Sequence, residues 1–281
     1  MSKPLVAVLG CGPSGLLAAH ACNMRGVPFV ILSRKQKSQL GGAQFSHIRI
    51  PFEFDDPERD DPESKITYKV TGTADEYQHK VYGAQKVPFV SFGNVYDGKV
   101  VPAWSLRKMY ERLWGLYESD IVDVDLDPMR VARLIVGFDI VFSSVHLKRI
   151  CFGNVDPGIG HWFRDQPVRI ANEAIDPNLP DNTIWYEGSK DKSWYRMSKI
   201  FGVGSTEWGA SGQLPPVEGL VTVNKPISTN CTCHTIMQTS EDELSPTSFV
   251  KVGRFGTWSK GELTFHAFNR ATDTLAEMGV M

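Results

Sequence analysis

A complete Gly-x-Gly-x-x-Gly stands between two apolar runs near the start of the chain, and it narrows the possible folds more than any other feature. Leu5-Val6-Ala7-Val8-Leu9 is continuously apolar and rich in β-formers, as expected of a strand buried on both faces of a parallel sheet. Gly10-Cys11-Gly12-Pro13-Ser14-Gly15 follows, then helix formers over 14–25 closed by Gly26, then a second apolar run over 27–32. Strand, glycine turn, helix and strand in this register predict a dinucleotide-binding βαβ unit. The glycines let the backbone turn tightly and approach a pyrophosphate, and the helix N-terminus supplies N–H donors and a positive dipole end. Gly10, Gly12, Pro13, Ser14 and Gly15 are therefore candidate cofactor residues.

The end of the second strand departs from the usual pattern. An Asp or Glu normally holds the adenosine ribose there; here Ser33 is followed by Arg34 and Lys35. Two readings stay open from these residues alone. The cations could receive a 2′-phosphate, as in NADP, or Ser33 could bond the ribose directly with Arg34 stacked on adenine.

The C-terminal region carries a second glycine-rich turn, Val252-Gly253-Arg254-Phe255-Gly256-Thr257-Trp258, and a helix after it. Ser259 and Glu262 read as a capping box for that helix, and Leu263, Ala267, Ala271 and Leu275 as its apolar face. Together with the opening motif and the Gly41-Gly42 pair, this turn resembles flavoproteins of the amine-oxidase and UDP-galactopyranose-mutase group. Trp194-Tyr195-Arg196-Met197-Ser198-Lys199-Ile200-Phe201 is similar to a substrate-domain strand of the mutases. The resemblance implies FAD rather than NADP, with Gly253, Arg254, Gly256, Thr257 and Trp258 at the isoalloxazine end. It also implies that Gly42, Ala43 and Gln44 pass close to the flavin and that Val122 meets the adenine.

The expected fold is α/β: a Rossmann-like FAD-binding parallel sheet with an inserted antiparallel β substrate region. The cofactor domain takes 1–44, 104–145 and 251–281. It includes a helix capped by Ser105, a strand over 121–126, a short helix starting at Asp127 and Pro128, and a buried strand over 138–144. Residues 45–103 and 146–250 alternate in short runs such as Thr183-Ile184-Trp185-Tyr186 and form the substrate-covering region. A proline-broken acidic loop crosses 55–63.

A flavin performs redox chemistry itself, so the protein's task is to position substrate and tune charge. His47 is a candidate general acid or base. Arg49 is a candidate carboxylate clamp, or a partner of the acidic loop. Tyr195 and Arg196 pair an aromatic ring with a guanidinium in the strand expected to face the flavin. Cys231-Thr232-Cys233-His234 has metal-ligating residue types, but zinc normally takes about four ligands from two separated pairs. Cys11, Cys22 and Cys151 stand alone in the sequence, so no metal site is expected. His161-Trp162-Phe163-Arg164 could stack a nucleobase or cap the sheet.

With 30 basic and 32 acidic residues the net charge is −2, which argues against a globally basic nucleic-acid coat. No apolar run is long enough for a membrane span, the N-terminus lacks signal-peptide architecture, and five cysteines in this setting suit a reducing, cytoplasmic compartment, that of the host cell if phage-encoded. The run 37–45 looks similar to short phage-encoded FAD-dependent lyases of thymine hypermodification. That resemblance implies oxidation of a carbon–nitrogen bond in an amine or amino-acid substrate. Its fullest form is a glycyl-modified thymine in phage DNA, giving 5-aminomethyl-deoxyuridine and glyoxylate. The alternatives are a flavin-dependent sugar-nucleotide mutase and a non-catalytic nucleotide-binding module.

Overall fold

The computed structural model describes residues 3–52, 62–83, 95–151, 160–173, 175–209, 218–231 and 248–280. In chain order the strands are β1 (Val6–Leu9), β2 (Phe29–Ser33), β3 (Phe45–Ser46), β4 (Ser64–Gly72), β5 (Val100–Ser105), β6 (Ile121–Asp123), β7 (Ile140–Ser143), β8 (Phe163–Ala171), β9 (Thr183–Gly188), β10 (Trp194–Ile200), β11 (Val203–Gly209), β12 (Val221–Thr229) and β13 (Ser248–Lys251). The helices are α1 (Pro13–Met24), α2 (Ala74–Tyr82), α3 (Leu106–Tyr117), α4 (Pro128–Leu134), α5 (Leu147–Ile150), α6 (Gly253–Thr257) and α7 (His266–Glu277).

The short apolar strands assemble one all-parallel sheet in the order β13-β7-β1-β2-β6. Every residue of β1 and β7 is buried, because helices cover both faces of the sheet. On one face α1 lies under α3 and α7. Gly15 through Cys22 are all buried in α1, which explains a helix apolar on every side rather than along one stripe. Tyr110, Leu113 and Tyr117 of α3 and Ala267, Ala271 and Leu275 of α7 complete this core. On the other face Val131 of α4, Leu147 and Ile150 of α5, and Trp258 pack against Ala7, Leu9 and Val141. Two helix starts follow the sequence directly: Ser105 accepts from Lys108 N at 3.3 Å, and Asp127 from Arg130 N at 2.8 Å with Pro128 behind it.

A second, eight-stranded sheet has the order β12-β8-β11-β10-β9-β4-β5-β3. The sequence predicts an antiparallel region. Most pairings are antiparallel, but β4 and β9 run parallel with Tyr68 opposite Ile184. A long excursion through β5 to β8 separates these two strands, so no hairpin fixes their relative sense. The helix α2 lies across this sheet, with Tyr77, Val81 and Tyr82 packed against Val168, Ile170 and Tyr195.

Three sequence expectations for the C-terminal region are corrected. The glycine-rich turn is itself the short helix α6, ended by Trp258 in a left-handed conformation (φ +51°). The capping box at Ser259 and Glu262 does not form. The helix α7 begins later, with Phe265 at its N-cap, and the Glu262 carboxylate pairs with Arg270 at 3.3 Å. Leu263, placed outside α7, is exposed rather than on its apolar face. The strand expected over 121–126 is also shorter, ending at Asp123. Among the described residues no helix is long and apolar enough to cross a membrane, and Cys11, Cys22, Cys151 and Cys231 are buried. Burial pushes the Cys22 thiol up to about 12.

Candidate active site

The 10–15 loop joins β1 to α1, with Gly12 at the N-cap and Pro13 at the first helical position. A Cβ on Gly15 would run into the carbonyl oxygen of Gly10, so this glycine serves the close packing of helix on turn. Gly12 is different. Its φ is −70°, and the nearest atom to an added Cβ is Ser38 Oγ at 3.5 Å, so neither strain nor packing requires glycine there. The missing side chain leaves space at the N-terminus of α1, and a helix N-terminus is suited to receive an anion. The loop is held from behind. Cys11 N donates to Ser33 Oγ at 3.3 Å, Tyr110 OH to Cys11 O at 3.1 Å, and Ser38 N to Tyr110 OH at 2.9 Å.

Beyond this loop lies an open pocket lined by Arg34, Lys35, Gln36, Asp123, Val124 and Asp125. The acidic residue that β2 lacks stands on the neighbouring strand: Asp123 is the register partner of Ser33 and accepts from Lys35 N at 3.1 Å. Arg34 is paired with Asp125 at 2.9 Å, and its hydrogen bond holds that carboxyl below the ordinary range. Asp125 also binds Arg149. Val122, the residue expected at the adenine, is half exposed on the edge strand, and its neighbours Asp123 and Val124 line the pocket.

The second centre lies on β10, β11 and β12 and contains a residue the sequence reading did not single out, Glu207. This carboxylate is buried. Arg196 Nε donates to it at 2.8 Å and Arg196 Nη2 pairs with it, while Tyr195 OH donates at 2.6 Å and Lys225 Nζ at 2.5 Å. Tyr195 and Arg196 are consecutive, and plain strand alternation would send them to opposite faces. A bulge between Trp194 and Arg196 lets both reach the same carboxylate. Burial pushes the Glu207 carboxyl up, but Arg196, Lys225 and its hydrogen bonds hold it well below the ordinary value. Burial likewise lowers Lys225, to about 8 despite Glu207.

Two glycine contacts bring the 41–42 turn onto this cluster and α6 onto the start of α1. A Cβ on Gly42 would lie 2.6 Å from Glu207 Oε1 and 3.6 Å from Arg196 Nη2, so the 41–42 turn closes directly over the ion pair. A Cβ on Gly253 would collide with Ser14 at the N-terminus of α1. The next residue, Arg254, has a buried Nε without a hydrogen-bond partner among the described residues. Burial lowers its pKa, and the charge of Arg196 lowers it further. Lys260 lies 4.7 Å from the Tyr82 ring centre and falls to about 8 through burial and the charge of Arg254. Arg196, Lys225 and Arg254 thus gather around one carboxylate, with Lys260 near Arg254 and Tyr77 meeting Tyr195 edge-on at 5.6 Å. A buried guanidinium nitrogen without a partner among the described residues can receive an anion.

The remaining candidates fall elsewhere. His47 is partly buried edge-on to Phe45 and Phe265, and burial followed by the charge of Lys99 lowers its pKa. Arg49 is partly buried, and most of the acidic loop proposed as its partner lies outside the described residues. Gln44 Nε2 turns back onto Gly41 O, and Ala43 packs beside Phe45. Gly256 abuts Ser143 O, and Thr257 Oγ1 donates to Gly253 O at 2.9 Å, so both serve the packing of α6. Trp258 is a core residue, edge-on to His146 and Phe163 with its N–H donated to Arg164 O at 3.0 Å. Tyr195 is fully buried and cannot stack a base; Trp162 remains half exposed. Cys151 does not stand alone: its Sγ lies 3.3 Å from Cys231 Sγ. Cys233 and His234 lie outside the described residues.

No protein-family model and no curated protein matches the chain. Solved structures do. Reduced UDP-galactopyranose mutase is 14% identical with a TM-score of 0.59, over 100% of this chain and 95% of that one. Aklavinone-11 hydroxylase, solved with FAD and aklavinone, is 10% identical with a TM-score of 0.50, over 99% of this chain and 64% of that one. 2,6-Dihydroxypyridine-3-hydroxylase from Arthrobacter nicotinovorans is 12% identical with a TM-score of 0.48, over 98% and 84%. The parallel sheet with its separate mixed sheet is the fold of FAD-binding flavoproteins.

Proposed function

We propose that this chain is an FAD-dependent enzyme that oxidises the carbon–nitrogen bond of an amine or amino-acid substrate bearing an anionic group. The observation that carries the reading is the cluster of Arg196, Lys225 and Arg254 around Glu207. Gly42 closes over Glu207 and Arg196, and Arg254 follows Gly253, which abuts the start of α1 at Ser14. Gly10, Gly12, Pro13, Ser14 and Gly15 hold the pyrophosphate, Ser33 and Asp123 the ribose end, and Arg34 and Lys35 the adenine side. Bound FAD supplies an acceptor for the hydride leaving the substrate's α-carbon. Arg254 and Arg196 grip the substrate carboxylate and fix the orientation of the α-carbon. His47, its pKa lowered by burial, is the candidate base for the proton of the substrate ammonium. Water then adds to the oxidised carbon, and amine and carbonyl products leave. In its fullest form the amine is a glycyl-modified thymine in DNA, with glyoxylate as the carbonyl product and Trp162 as the exposed ring that meets the base.

The test is anaerobic mixing of the flavin-loaded protein with glycyl-thymine DNA, free glycine or other free amino acids, followed by flavin absorbance and product mass spectrometry. Bleaching with release of glyoxylate supports the reading. Faster bleaching by a free amino acid removes the DNA half and keeps the oxidase half.

A second reading, a sugar-nucleotide mutase, is favoured by the count of cations, since three positive groups around one acid suit a diphosphate as well as a carboxylate. It requires turnover only with pre-reduced flavin and no net consumption of electrons.

A further inference from the structure

Cys151, His161 and Cys231 come from three separate stretches of chain and meet at one point. Cys151 follows α5, His161 precedes β8, and Cys231 follows β12. Cys151 Sγ lies 3.1 Å from His161 Nδ1 and 3.3 Å from Cys231 Sγ, and the three donor atoms all fall within 4.8 Å of one another. Both thiols are buried and the imidazole is partly so.

Hydrogen bonds set this geometry in advance. Trp162 N donates to Asn230 Oδ1 at 2.7 Å and Asn230 Nδ2 to Gly160 O at 3.3 Å. Thr229 Oγ1 donates to Trp162 O at 2.6 Å and accepts from Cys231 N at 3.0 Å. The residues on either side of His161 are thus clasped to those leading into Cys231, so the imidazole and one thiol are positioned without help from a ligand.

We propose that Cys151, His161 and Cys231 bind a zinc ion. Two thiolates and one imidazole are the donor types this borderline-soft ion selects. The two thiolate charges cancel the charge of the ion, so the complex can be buried without a net charge. Three protein donors leave the fourth tetrahedral position to water or another donor. The ion ties the parallel sheet, through α5, to β8 and β12 of the second sheet. It does so beside the point where Trp258 packs on Phe163 and donates to Arg164. Its role is that of a brace between the two sheets behind the C-terminal turn. The sequence alone predicted no metal because it offered no second ligand pair; the fold brings Cys151 and His161 to Cys231 from a distance.

The experiment is elemental analysis of protein purified without chelator from zinc-supplemented cells, with intact mass measured under non-reducing conditions. About one zinc per chain is expected, lost in Cys151→Ser and in Cys231→Ser. His161→Ala, at a partly exposed position, should keep its far-UV spectrum and bind zinc roughly tenfold or more weakly. Should the cysteine variants not fold, the wild-type protein still decides: loaded with cobalt it should show thiolate-to-cobalt charge-transfer absorption. Three results overturn the proposal. They are wild-type protein that takes up neither metal, an intact mass two hydrogens lighter from a Cys151–Cys231 disulfide, and a zinc affinity, measured by competition with a chelator, unchanged in folded His161→Ala.

Discussion

Gly42 sits directly over Glu207, so close that a Cβ at this glycine would stand 2.6 Å from the carboxylate oxygen that Arg196 also grips. The glycine has φ +78°, so both the turn and the contact exclude a side chain. Gly42→Ala should cost about 1–3 kcal/mol through strain and displacement of the ion pair. Urea denaturation checks this; an unchanged midpoint would mean that the turn does not bear on Glu207.

Removing the charge beneath that turn should matter more. Glu207→Gln leaves Arg196 and Lys225 without their shared counter-ion in a buried site, a change that typically costs about 3–5 kcal/mol. Arg34→Gln, which breaks an exposed pair with Asp125, should cost less than about 1 kcal/mol. Equal midpoints for the two variants would remove Glu207 from its central place.

Gly12 and Gly15 should part company. Gly12→Ala meets no atom closer than 3.5 Å and should fold with a nearly unchanged Tm while losing affinity for FAD. Gly15→Ala collides with Gly10 O and should destabilise the protein by about 2 kcal/mol or more. Paired thermal melts and flavin titrations separate the effects. Full flavin occupancy in the Gly12 variant would mean that the pyrophosphate does not cross this glycine.

Anionic-substrate affinity should fall as pH rises through about 8. Burial lowers Lys225 to about that value, so its charge is present below pH 8 and lost above it. The sign for stability is opposite. Because the folded protein releases this proton before the unfolded chain does, the Lys225 contribution favours folding increasingly between about pH 8 and the ordinary lysine pKa. A KM that rises above pH 8 in the parent and stays flat in Lys225→Met is expected; the same profile in both would exclude Lys225.

NADPH should not bleach the bound flavin rapidly. Arg34 is committed to Asp125, and Asp123 stands beside Ser33 where a 2′-phosphate would otherwise be received. Anaerobic mixing in a stopped-flow instrument checks this, and fast bleaching would mean that a second nucleotide is used.

The parallel sheet is legible in the sequence because its strands are short, apolar and buried on both faces, and because the glycine loop fixes the first βαβ unit. The second sheet is only partly legible. The parallel β4–β9 pairing depends on where a long excursion of chain returns, and no local pattern encodes that. Tyr195 and Arg196 could be picked from the sequence, but their shared direction depends on a bulge. Glu207 is a single acid between Thr206 and Trp208, a pattern that a solvent-facing strand position would show equally well. Its meaning comes from Lys225, which lies one strand beyond the neighbouring β8. Asp123 was hidden in the same way, supplying from β6 the carboxylate expected at the end of β2.

The absorption spectrum of the protein reconstituted with FAD and freed of unbound flavin tests the central claim most directly. The account predicts oxidised-flavin bands at about one FAD per chain, diminished in Gly12→Ala. A folded parent protein that leaves the desalting column colourless, after incubation with saturating FAD, would contradict it.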